Sequence, residues 1–172
     1  MPVLSTERLD LWRPEPRDHT GLVAMLADEE VRRNLGNCST SPADEYNRLA
    51  RHAGSWVLYG YGSFMCRLRG TEQFVGICGV FHSWRGYAQG FDDTPEIGYS
   101  LARPFWGQGF ATEAGHAALA WFDAQHGARR IACMINEANL ASMTVAAKLG
   151  FVRYGEHVED DERLVLLERP AK

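Results

Sequence analysis

Glu96-Ile97-Gly98-Tyr99-Ser100-Leu101 and, after four further residues, Trp106-Gly107-Gln108-Gly109-Phe110-Ala111-Thr112-Glu113-Ala114 decide how the chain folds. The first run reads as a strand. A pair of glycines follows, and then Ala111, Ala114, Ala118, Trp121 and Phe122 recur at helical spacing. A helix entered from a strand through glycines leaves its first N–H groups without intrahelical acceptors. Those donors and the positive end of the helix dipole suit a pyrophosphate, and glycine lets the backbone approach it. Two named phosphate motifs fail here. A P-loop requires Lys-Ser/Thr after its last glycine, where Phe110-Ala111 stand. The dinucleotide fingerprint requires an early strand and a third glycine, where Thr112 stands. What remains is a phosphate turn late in the chain, against the plain alternative of a merely tight connection.

On the N-terminal side, Arg8 to Arg13 alternates as a strand that stops at Pro14. Leu22, Met25 and Leu26 have helical spacing, and Val31 and Leu35 either extend that helix or form a second short one up to Gly36. Ser41-Pro42-Ala43-Asp44 is a helix start, continued by Tyr46, Leu49, Ala50 and Ala53, with Gly54 as the expected end. Ser63 to Leu68 and Phe74 to Phe81 read as a hairpin joined by Arg69 to Gln73, and a glycine-rich aromatic loop runs from Ser83 to Asp93. On the C-terminal side, Ile131, Cys133 and Ile135 alternate as a strand. Asn139 caps a helix that ends at Gly150, and strands over Phe151 to Glu156 and Arg163 to Glu168 close the chain. The expected architecture is one α/β (α+β) domain over residues 1–172 with a mixed sheet.

Composition narrows the function classes. The chain is 45% hydrophobic and 23% charged, an ordinary globular balance. A net charge of -4 with scattered Lys and Arg argues against nucleic acid. No apolar run approaches the roughly 20 residues of a membrane span, and the N-terminus lacks a signal-peptide pattern. Cys38, Cys66, Cys78 and Cys133 form no CxxC pair, and the six histidines lack metal-ligand spacing. Reduced cysteines, no metal and a cytoplasmic location are expected.

The strand and glycine turn quoted above resemble the acetyl-CoA motif of the GNAT N-acetyltransferase superfamily, closest to its Rim-type branch, which acetylates N-termini of ribosomal proteins. Asn139-Leu140-Ala141-Ser142 and Lys148-Leu149-Gly150-Phe151 are similar to that branch's second motif. Thr6-Glu7-Arg8-Leu9 and Val75-Gly76-Ile77-Cys78-Gly79 are similar to it as well, so the resemblance covers nearly the whole chain. It implies a mostly antiparallel sheet with splayed central strands flanked by helices. It also implies acetyl-CoA as co-substrate and an amine-bearing acceptor, a protein N-terminus or a small molecule, with a monomer or homodimer expected. By matching position, amides from Trp106, Gly107, Gln108, Gly109, Phe110, Ala111 and Thr112 would hold the pyrophosphate. Tyr99, Ser100 and Leu101 would pair with the pantetheine arm, and Asn139 would bond the cofactor near its thiol end. Pro104 replaces the Gln or Arg that opens the loop in many members. Ala146 stands where many carry a general-acid Tyr, and Ser142 is the replacement donor suggested for Rim-type enzymes.

Acetyl transfer requires a base for the ammonium, donors for the developing oxyanion and a route out for the thiolate. Glu96, at the start of the strand expected to line the slot, is the candidate base, against a plain solvent-facing strand end. A backbone N–H of the splayed strand would meet the oxyanion. Ser142 either donates to the departing sulfur or simply completes the first turn of its helix. Trp84, Tyr87 and Phe91 either wall the acceptor pocket or pack their loop. The acidic runs Asp92-Asp93 and Glu159-Asp160-Asp161-Glu162 either attract a cationic acceptor or are solvated. The competing readings are a degenerate acyl-CoA-sensing domain and a nucleotide-binding module unrelated to CoA.

Overall fold

Among the described residues of the computed structural model (1–33, 35 and 40–171), eight strands form one mixed sheet. In chain order the elements are β1 (Leu4–Ser5), β2 (Leu9–Trp12), α1 (Asp18–Ala27), α2 (Glu29–Arg33), α3 (Pro42–Tyr59), β3 (Ser63–Leu68), β4 (Phe74–His82), β5 (Pro95–Leu101), a 3-10 turn (Arg103–Phe105), α4 (Phe110–His126), β6 (Ile131–Asn136), α5 (Leu140–Lys148), β7 (Val152–Glu159) and β8 (Glu162–Arg169). The strand order is β1-β2-β3-β4-β5-β6-β8-β7. Every neighbouring pair is antiparallel except β5 and β6, which are parallel.

The period of two along each strand sorts side chains to opposite faces. On β3, Phe64 and Cys66 join Leu9, Leu11, Phe110, Ala114 and Ala118 beneath α4, while Met65 joins Leu22, Met25, Leu26 and Leu49 beneath α1 and α3. Ile131, Cys133 and Ile135 of β6 pack with Leu119, Phe122, Ala146 and Leu149 of α4 and its C-terminal neighbours. Helices therefore cover both faces. Leu22 and Leu26 are fully buried, and each such side chain contributes about 1.5–3 kcal/mol. That anchors α1 although its apolar stripe is short.

Two boundaries differ from the sequence expectation. α3 does not stop at Gly54. It runs on to Tyr59, where Gly60 takes φ 76° and its N–H bonds the Trp56 carbonyl at 3.1 Å. Buried Trp56, whose indole donates to the Ser63 carbonyl at 3.0 Å, holds the extra turn against β3, and this packing outweighs the low helix propensity of Gly54. A two-residue strand, β1, also precedes the expected first strand and pairs with β2. The segment after α1 is a separate short helix. Gly36, its expected end, and Cys38 lie outside the described residues.

The feature that positions the site is the join of β5 and β6. They meet at a single register pair, Glu96 and Ala132, and then diverge. From Gly98 to Leu101, β5 keeps its ladder with β4 but has no partner on the β6 side.

Candidate active site

α3 and α5 begin on side-chain caps: Ser41 and Asp44 form a reciprocal box, and Asn139 Oδ1 accepts the Ser142 N–H at 3.0 Å. α4 begins instead on Gly109 at φ 82°, which has no side chain to cap it. Gly107 also has a positive φ of 71°, so the chain enters α4 through two left-handed positions. The Trp106 amide bonds the Arg103 carbonyl at 3.1 Å, and the Glu113 amide bonds the Gly109 carbonyl at 3.0 Å. Between them, the six amides from Gly107 to Thr112 have no acceptor among the described residues. The side chains of Trp106 and Gln108 brace the turn by donating to the Leu101 and Pro104 carbonyls, each at 2.7 Å.

The N-terminal segment locks this turn from 105 residues away. Thr6 Oγ1 and the Arg8 amide donate to Glu113 Oε1 at 2.5 and 3.0 Å, and Arg8 Nε donates to Oε2 at 2.7 Å. Arg8 Nη1 reaches the Gln108 carbonyl at 3.0 Å, and its guanidinium lies 4.2 Å over the Phe110 ring. Burial alone would raise the Glu113 carboxyl. Hydrogen bonds from Thr6 and Arg8, with the Arg8 charge, outweigh it and hold the carboxyl below its ordinary range.

At the opening between β5 and β6, Tyr99 reaches across: its hydroxyl donates to the Ser142 carbonyl at 2.8 Å. Burial pushes the Tyr99 phenol up, so it stays protonated and serves as a donor. The Ser142 hydroxyl lines the cleft and makes no hydrogen bond among the described residues. Asn139 commits its side-chain oxygen to the helix cap and keeps its amide nitrogen free of partners among the described residues. Cys133 also lines the opening. Burial, helped by the Glu96 charge, pushes its thiol up and keeps it unreactive at neutral pH. Ala146 is fully buried in the core beside Tyr61 and Leu149, where a tyrosine would have to displace packed side chains.

The cleft in front of the opening has a volume of about 870 Å³. Glu96 lies in it but is 3% exposed, not at a solvent-facing strand end. Arg85 Nη2 donates to Glu96 Oε1 at 2.8 Å. Arg85 Nε and Ser83 Oγ donate to Oε2 at 2.8 and 2.5 Å. Arg85 rides on the glycine-rich loop, which Asp92 organises by accepting the N–H groups of Arg85, Gly86 and Ala88 at 2.9 Å. These bonds hold the Asp92 carboxyl below its usual range. Of the loop aromatics, Phe91 is 0% and Tyr87 8% exposed and they pack the loop onto β6 and β8; Trp84, 69% exposed, lines the cleft, and Tyr87 does so as well. Asp93 contacts His82 at 3.1 Å, whereas Glu159, Asp160 and Glu162 of the β7–β8 turn line the cleft.

Arg8, Arg85 and the polar stripe of α3 escape a sequence reading. Only the Thr6-Glu7-Arg8 similarity hinted at the first. On α3, Arg48, Arg51 and His52 line the cleft, and His52 Nε2 is shut off from solvent without a partner. Burial and then the charges of Arg51 and Arg48 push His52 down to about 4, so it is neutral near pH 7. Among the described residues no cluster of His, Cys, Asp and Glu side chains is arranged to hold a metal ion, and no helix is long and apolar enough to cross a membrane.

Comparison with known proteins agrees with this geometry. Residues 8–152 match the family model described as an acetyltransferase (GNAT) domain. The chain is 27% identical over 90% of its length, and 85% of the relative's, to p20 of Bacillus licheniformis, an uncharacterised N-acetyltransferase. A GnaT-family acetyltransferase structure from Bordetella pertussis superposes with a TM-score of 0.88 at 31% identity, covering 98% of this chain and 99% of that one. The ribosomal-protein-S5-alanine acetyltransferase of Vibrio fischeri shares the fold, with a TM-score of 0.79 at 18% identity, covering 98% and 96% of the two chains. With a family model spanning most of its length and a strand pair that parts beside an uncapped helix start, the chain belongs to the GNAT acetyltransferase family and is an acyltransferase.

Proposed function

We propose that residues 1–172 act as one cytoplasmic N-acetyltransferase unit that moves the acetyl group of acetyl-CoA to a primary amine by direct attack in a ternary complex. The observation that carries this reading is the run of six unpartnered amides from Gly107 to Thr112 at an uncapped helix start. The residues fit the pyrophosphate: a Cβ built at Gly107 meets nothing within 4 Å, so the space over the turn is open. Gly107 to Thr112 would hold that group through their amides, whereas the Trp106 amide, expected to share in this, is already committed to the Arg103 carbonyl. The β5 edge at Tyr99, Ser100 and Leu101, unpaired on the β6 side, would offer its backbone to the pantetheine arm, and the Asn139 amide nitrogen would donate near the thiol end.

The thioester supplies an activated acetyl group. The chain's own residues do the rest. The ammonium first gives one proton to Glu96 through the Ser83 hydroxyl or one water, and the free amine then attacks; as the N–C bond forms and the C–S bond breaks, a second proton leaves nitrogen for the departing thiolate, so that an amide and a thiol result. Arg85 fixes the Glu96 carboxylate in place. A backbone N–H of β5 meets the oxyanion, and the Ser142 hydroxyl donates to the departing thiolate. A relative's name supports the acceptor class: the S5-alanine acetyltransferase neighbour points to a peptide N-terminus or another primary amine as acceptor.

A second reading, an acyl-CoA sensor without turnover, draws on two observations: Ala146 is sealed in the core, and both Glu96 oxygens are engaged by Arg85 and Ser83. Thiol release with a panel of amines separates the two readings. For the phosphate turn the test is Gly109→Val. A β-branched residue is strained at φ 82°, and CoA affinity measured by calorimetry should fall by about 100-fold or more. Unchanged affinity in a folded variant would refute the assignment.

A further inference from the structure

The cleft in front of the β5–β6 opening is charged in two opposite senses at its two ends. Glu159, Asp160 and Glu162 line it from the β7–β8 turn, beside the opening: Asn136 of β6, on the same side, donates to Glu162 at 2.8 Å. From the far side α3 presents Arg48, Arg51 and His52, and the central Arg85–Glu96 pair neutralises itself. Between the ends, Met25, Leu26 and Ile77 supply apolar wall.

The α3 end has the marks of a place for an anion. Arg48 is only 18% exposed and uses Nε to reach Glu45 Oε2 at 3.1 Å. Its two terminal nitrogens have no partner among the described residues. One turn on, His52 holds Nε2 out of water with no acceptor or donor among the described residues. A buried, unpaired ring nitrogen is costly unless something completes it. Beside two guanidinium groups, a neutral imidazole in the tautomer that carries its proton on Nε2 would complete that nitrogen on an oxyanion, and the two positive charges repel an ammonium. The acidic β7–β8 turn has the opposite preference, and it stands where the attacking amine must arrive.

We propose that the cleft takes a zwitterionic acceptor, a primary amine that also carries a carboxylate or a phosphate, whose anionic group is held by Arg48 and His52. The proposal rests on the acetyl-transfer reading above and names the acceptor class for that same site. It orients the acceptor: ammonium toward Glu159, Asp160 and the opening, anion toward α3.

The test compares matched acceptors that differ only in the anion and are long enough to reach across the cleft, 6-aminohexanoate against pentylamine and 6-aminohexyl phosphate against 6-aminohexanol, by kcat/KM for thiol release. The two pairs separate a carboxylate from a phosphate. In parallel, calorimetry on the CoA-loaded protein compares N-acetyl-6-aminohexanoate with N-acetylpentylamine, a readout that needs no turnover. The anionic member of at least one pair should be favoured by about 10-fold or more. In a Glu45→Gln/Arg48→Gln variant, which removes both charges and keeps their shape, that ratio should collapse toward one, mainly through KM. Arg48→Lys keeps the charge and loses the guanidinium fork, and should lower the ratio several-fold in a molecule with its native ion pair. A ratio near one in the parent protein, or a ratio that survives both variants, overturns the proposal. A binding preference without thiol release from any amine would refute acetyl transfer and leave the anion subsite standing.

Discussion

The two sides of the β5–β6 opening are built from different materials. On the α4 side the recognition elements are main-chain amides, placed by two left-handed glycines and held by a network in which Thr6, Arg8 and Glu113 take part. On the cleft side they are side chains: Arg85 on Glu96, Arg48 on Glu45, and His52 on no partner among the described residues. A backbone-built site depends on conformation and tolerates changes of side chain. A side-chain site is the reverse, because each truncation leaves a buried partner unmatched. The contrast teaches where specificity can vary: one half fixes a constant ligand, and the other can be rewritten residue by residue.

The largest expected effect is on the cleft side. Arg85→Met leaves the Glu96 carboxylate buried without its cation and should cost about 3–5 kcal/mol of stability in urea unfolding. A loss no larger than that of an exposed arginine would break the contrast by showing that Arg85 is not a buried clamp. Next, Ser142→Ala should lower kcat on the order of 100-fold while CoA affinity stays close to that of the parent. An unchanged kcat would return Ser142 to the first turn of α5.

A third effect concerns pH. His52 is held near 4 in the folded chain against an ordinary value of about 6.5, so the unfolded chain binds the proton more readily. Its contribution to stability is therefore intact above about pH 6.5 and is lost as pH falls toward 4. Between pH 7.5 and 5.0 the protein should lose about 2 kcal/mol that a His52→Gln variant retains, as measured by the difference between the two urea midpoint series. Parallel series for parent and variant would mean that His52 is protonated in the fold. The smallest effect sharpens the comparison from the other side. Thr112→Ala keeps its amide and should change CoA affinity by less than about twofold.

The glycine turn before α4 was legible because everything it requires is local in sequence: a strand, two glycines at positive φ and an apolar helical stripe. The caps at Ser41 and Asn139 were legible for the same reason. Gly54 misled because a glycine inside a helix looks like a terminus until the packing of Trp56 is known. The Arg8–Glu113 lock joins residues 105 apart, and the pairing of Arg85 with Glu96 depends on how one loop folds back over β5. Charge and residue type were visible in both cases, but the partner was not. Glu96 illustrates this: its place on β5 could be read, whereas its burial and its two donors come from tertiary structure.

The single rung between β5 and β6 has a further consequence. Register passes along a sheet only through its ladders, and here one crossing joins a five-stranded block, β1 to β5, to a three-stranded block, β6 to β8. The two blocks are thus nearly independent frames of alignment. A one-residue insertion within β7 or β8 would invert the faces of that hairpin and reshape the acidic wall of the cleft. It would leave Tyr99 to Leu101 and the turn beyond them in their original frame. The same break that opens the sheet lets the molecule carry one fixed geometry and one editable geometry on a single continuous surface.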